Sequence, residues 1–206
     1  MKRASLSICV VLLVNTAGCA GHTASGTSSS PSGAMVTDCP DLSGRYAGAG
    51  RMVRGDPTQQ IGSRLTLDFV FPPADLEARK LMVSRYKVDG HGIIVPPDYV
   101  RVTKSGSNSY VIAAFYGDSE IGEYSAEEPP KTEVICKGGA LYRKYQESTR
   151  SDYGPNHVTT EDMVRIDGNG DLIFRREMRV AYHALIFNLP MGTGSFFEEY
   201  RFPRIK

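Results

Sequence analysis

Polar and apolar positions in this chain alternate over short runs. In "RLTLDFVF", residues 64–71, Leu65, Leu67, Phe69 and Phe71 fall on one face and Arg64, Thr66 and Asp68 on the other. That period of two predicts a half-buried strand. "KTEVICK" groups Thr132, Val134 and Cys136 in the same way, and "FFEEYRF" sets Phe196, Tyr200 and Phe202 against Phe197, Glu199 and Arg201. "SYVIAAFY" is apolar on both faces and predicts a central strand. "PPADLEARKLM" reads as a short helix, with Pro73 near its start, Asp75 and Glu77 in the first turn and Arg79 and Lys80 later, as the helix dipole prefers.

One segment is ambiguous. In "LIFRREMRVAYHALIFNL", residues 172–189, Leu172, Phe174, Met178, Val180 and Tyr182 suit a strand, whereas Phe174, Met178, Ala181, Tyr182 and Leu185 suit a helix. The turn signal "DGNGD" before it and its many Ile, Val, Tyr and Phe residues favour one bent strand or two short ones. The whole pattern gives roughly eight to ten strands and one short helix, a mainly β fold of antiparallel strands curled into a barrel or sandwich. Glycine pairs in "SGRYAGAG" and "KGGAL" mark sharp bends. Residues 147–160 and the acidic stretch 117–131 read as long exposed loops, where contacts with partners often sit.

The N-terminus departs from this pattern. "MKR" precedes an apolar run over residues 6–14, and small residues then lead to Cys19. This is the layout of an export signal, and about nine apolar residues are too few to span a bilayer. "TAGC" resembles the lipobox of bacterial lipoproteins, matched at Ala17, Gly18 and Cys19, with Thr16 where the family most often has leucine. The resemblance implies a signal peptide over residues 1–18, acylation of Cys19 with diacylglycerol and palmitate-type chains, and attachment to the membrane through that anchor. Ala20 after the cysteine implies sorting to the outer membrane, with the domain facing the periplasm. Ordinary cleavage after Ala20 is the competing reading, and it would release a soluble periplasmic protein.

Residues 19–38 follow as a Ser, Gly, Thr and Ala-rich tether that cannot bury enough apolar surface to order itself. As a flexible coil it spans about 24 Å. Residues 39–206 form one β-rich domain. If Cys19 is acylated and Cys9 leaves with the signal, Cys39 and Cys136 remain, and an even pair in an oxidising compartment predicts a disulfide. "CPDLSGRYAGAG" and "EEYRFPR" also resemble the domain ends of bacterial cell-envelope lipoproteins, which implies an address and no activity.

Composition narrows function mainly by exclusion. The 206 residues carry a net charge of +1, and removing Lys2 and Arg3 from the 24 basic residues leaves 22 against 23 acidic. That balance supplies no field for nucleic acid. Asp167, Asn169 and Asp171 alternate like a calcium loop, but Leu172 stands where glycine is needed and Met178 where a bidentate glutamate is needed. His91, His157 and His183 are far apart in the chain and none has a second histidine at ligand spacing, so no metal or cofactor is expected. No nucleophile motif is present, and the reading is of a protein that is not an enzyme. Glu127 and Glu128, and the cluster Arg175, Arg176 and Arg179, read as solvated faces. The expectation is a structural or protein-binding module of the envelope. The alternative is a lipocalin-like carrier of a lipid or small apolar ligand, since "SGRY" resembles the Gly-x-Trp opening of lipocalins with Tyr46 in place of tryptophan.

Overall fold

The computed structural model describes residues 39–55, 64–151, 154–183 and 190–206; residues 1–18, expected as a signal segment, and residues 19–38, expected as a tether beginning at Cys19, lie outside them. Its strands form two main antiparallel sheets. The first is built from β1 (Gly44–Ala47), β6 (Tyr99–Lys104), β7 (Tyr110–Tyr116) and β8 (Ser119–Ala126), in that order. The second runs from β3 (Arg64–Thr66) through β2 (Ala49–Gly55), β13 (Pro190–Phe202), β12 (Leu172–His183), β11 (Gly154–Ile166) and β10 (Ala140–Ser151) to β9 (Glu133–Lys137). A separate two-stranded ribbon pairs β4 (Lys87–Val88) with β5 (Ile94–Val95). The arrangement is a sandwich, and neither main sheet closes on itself among the described residues.

The core lies between the two sheets. Tyr46, Val100, Val102, Ile112, Ala114 and Tyr124 enter it from the first sheet, and Leu141, Val164, Leu172, Phe174, Tyr200 and Phe202 from the second. β7 is interior in its sheet and buried on both faces, as its unbroken apolar run requires. Gly50 is where the chain of β2 crosses Phe202: a Cβ there would lie 2.6 Å from that buried ring. Gly138 and Gly139 take φ of 58° and 73° and make the two-residue turn that joins β9 to β10. "DGNGD" closes the β11–β12 hairpin, with Asp167 Oδ1 accepting from the backbone N–H groups of Asn169 and Asp171.

The disulfide joins Cys39 to Cys136, with Cα atoms 4.9 Å apart. It ties the start of the domain to the edge strand β9. The expected helix is α1 (Leu76–Ser84), capped by Asp75, whose side chain accepts from Glu77 N–H at 2.8 Å. Residues 172–183 are strand; residues 184–189 lie outside the described residues.

Three expectations fail. The strand predicted over residues 64–71 stops at Thr66 and turns as a 3-10 helix over Leu67–Phe69, which leaves Phe69 half exposed and takes Asp68 inside. The cause is polar bonding to that turn. Arg79 and Tyr86 donate to the Asp68 carboxylate, Tyr124 Oη donates to the carbonyls of Asp68 and Phe71, and Arg143 donates to the carbonyl of Val70. Side chains satisfy the backbone that a strand partner would have satisfied. Of residues 147–160, expected as a loop, 147–151 end β10 and 154–160 begin β11, and 152 and 153 lie outside the described residues. Most of the stretch 117–131 is likewise β8, and a connection runs only over residues 127–132. Both segments differ from the expectation because exposed strands carry the polar composition of loops.

Candidate functional site

The strands of the second sheet outrun those of the first. β10 to β13 are 12 or 13 residues long, whereas β6, β7 and β8 have 6, 7 and 8. Side chains directly opposite one another across an antiparallel pair share a face, so the inner face can be followed row by row. Leu141, Val164, Phe174 and Tyr200 form one row, and all four belong to the core. The next row outward is Arg143, Asp162, Arg176 and Glu198. Beyond it come Tyr145, Thr160, Met178 and Phe196, then Val158 and Val180. The core ends where the charges begin, and apolar side chains reappear past them.

The charged row alternates in sign across four strands, and all of it but Arg176, whose side chain is 21% exposed, is held off water. Arg143 and Asp162 are each 4% exposed and Glu198 is 7%. Arg176 makes a two-pronged bond to Asp162, from Nε to Oδ1 at 2.8 Å and from Nη2 to Oδ2 at 2.9 Å. Burial works against the Arg176 charge, but the bond to Asp162 and the field of that carboxylate outweigh it and hold the guanidinium protonated. Burial, and next the Asp162 charge, push the Tyr145 hydroxyl above its ordinary value. Tyr200 Oη donates to Glu198 at 3.2 Å. Arg143 reaches the other way, donating from Nε to Glu128 at 2.6 Å and from Nη1 to the Val70 carbonyl at 2.6 Å.

A cleft of about 350 Å³ opens along this row. Arg143, Tyr145, Asp162 and Arg176 line it from the sheet, Glu128, Pro129 and Pro130 from the connection after β8, and Phe69 and Pro72 from the 3-10 turn region. Glu128 Oε2 and Arg143 Nη2 are buried there without a hydrogen-bond partner. Such atoms cost stability until something supplies the missing bond. The two segments expected from sequence to carry contacts therefore meet: Glu128 to Pro130 belong to one and Glu147, which also lines the cleft, to the other.

Arg175 and Arg179 stand on the outer face, as read from the strand alternation; Arg176 does not, and its place in the solvated cluster is corrected. Arg143, Asp162 and Glu198 were not singled out at all. His91 sits exposed in the β4–β5 turn, but His157 and His183, distant in sequence, bring their rings to 5.1 Å. Cys39 and Cys136 are consumed by their disulfide, and no group of three His, Cys, Asp or Glu suited to a metal occurs among the described residues. Comparison with protein-family models, with curated proteins and with solved structures found no match.

Proposed function

We propose that this chain is a lipid-anchored protein of the bacterial outer membrane whose β sandwich binds a protein partner through the half of its long-stranded sheet that extends past the core. One observation carries the reading: the inner face of β10 to β13 continues past the core, across a buried charged row, to Tyr145, Met178, Phe196, Val158 and Val180. A face that combines half-buried apolar side chains with fixed, alternating charges offers both contact area and register to a second protein. The interior favours this over the carrier, because fully buried side chains such as Tyr46, Phe71, Phe174 and Phe202 fill the space between the sheets. The anchor rests on the N-terminal sequence, and the Cys39–Cys136 disulfide agrees with a compartment outside the cytoplasm.

The test is photocrosslinking in cells, with p-benzoylphenylalanine at Phe196 on the proposed face and at Ser195 on the opposite one. A discrete protein adduct from position 196 and none from 195 is expected. Equal labelling from both positions contradicts the proposal, and a lipid adduct at 196 returns the chain to the carrier class.

A further inference from the structure

We infer that His157 and His183 form a divalent-metal site of the zinc, copper or nickel class on the outer face of the long hairpins. The β11–β12 register places His157 opposite Ala181, so His183, two residues further along β12, lies on the same face and diagonal to it. Their rings meet edge to face, with centres 5.1 Å apart and planes at 78°. Two imidazoles that each hold a nitrogen about 2.0–2.1 Å from one tetrahedral ion bring their ring centres to about 5 Å. The ring centres already stand at that spacing, and rotating the two rings about their Cβ–Cγ bonds out of edge-to-face contact brings a nitrogen of each to a shared ion.

Two further features point the same way. Ser148, opposite His157 in β10, places Oγ 3.1 Å from His157 Nδ1. A proton on Nδ1 shared with that hydroxyl leaves the Nε2 lone pair free, which is how metal-binding histidines are oriented by a second group. His183 Nδ1 is buried and has no hydrogen-bond partner, a ring nitrogen with an unmet need.

The surroundings tolerate a cation. A hollow of about 320 Å³ beside His157, which His183 does not line, is bounded among the described residues by Thr159, Thr193 and Ser195, with Arg179 as the one cation there. Arg179 is bonded to Glu177 at 3.0 Å, which offsets its charge. With two protein nitrogens and no third His, Cys, Asp or Glu among the described residues, the ion keeps open positions for water or an outside ligand and exchanges readily. Imidazole donors select the borderline transition metals over magnesium or calcium.

The experiment is calorimetric titration of the metal-free mature chain at pH 7.5 with zinc chloride, with magnesium chloride as the comparison. One saturable zinc event per chain is expected, lost in His157→Ala and in His183→Ala, weakened about tenfold in Ser148→Ala, and unchanged in His22→Ala and His91→Ala. Circular dichroism checks that each variant folds. Nitrogen-15 spectra of the unaltered chain give a second readout, in which zinc moves the ring signals of His157 and His183. No saturable binding, binding that survives His183→Ala, or ring shifts confined to His22 or His91 overturns the inference.

Discussion

Tyr46, Tyr110 and Tyr200 are each no more than 1% exposed. Burial disfavours the phenolate and pushes each pKa from 10.0 up to about 12. Tyr86 and Tyr124 are raised as well, by burial first and by the Asp68 charge next. The unfolded tyrosine releases its proton near pH 10 and the folded one holds it to about 12, so the folded state binds more protons in that window. Stability is therefore complete below pH 10 and is lost as pH rises toward 12. Urea midpoints between pH 8 and 12 should be level at first and then fall, with a shallower fall in Tyr110→Phe; a level curve to pH 12 contradicts this assignment. At the same scale, Asp68 shows what alternation cannot reveal. Its neighbours Leu67 and Phe69 promise a strand, yet Arg79, Tyr86 and Tyr124 converge on the segment and draw the carboxylate in. Those partners lie 11 to 56 residues away, and nothing local announces them.

The charged row is a property of strands in register. Asp162→Ala leaves Arg176 without its carboxylate in a largely buried setting, and such a loss costs about 3–5 kcal/mol. The neighbouring Glu161→Gln removes only an exposed pair with Lys144 on the outer face and should cost less than about 1 kcal/mol. Chemical denaturation of the two variants measures the difference, and equal losses would show that the row is not the buried network described. Half of this arrangement was legible. The same alternation that sets Arg175, Glu177 and Arg179 outward also sends Arg176 inward beside Phe174 and Met178, but charge composition argued for grouping it with its neighbours. Register decided the matter, since Asp162 meets Arg176 only once β11 and β12 are paired.

For the molecule as a whole, antiparallel β architecture, the short helix and the glycine turns could be read from periodicity and turn chemistry. Barrel versus sandwich could not, because closure depends on which strands pair at the sheet edges. The unequal strand lengths that extend the candidate face were hidden for a related reason: residues 147–151 and 154–160 are strand that outruns the first sheet among the described residues, and their sequence is loop-like in composition. The Cys39–Cys136 bond came from counting cysteines after assigning Cys9 to the signal and Cys19 to the lipid, and the structure brings those two residues together. That count links the proposed anchor to the fold. It is tested most directly by the intact mass of the mature protein purified from membranes, recorded before and after reduction. The account predicts a chain that begins at a diacylglycerol-modified Cys19 and gains two hydrogens on reduction. An unmodified chain beginning at Gly21, or two thiols already free before reduction, would contradict it.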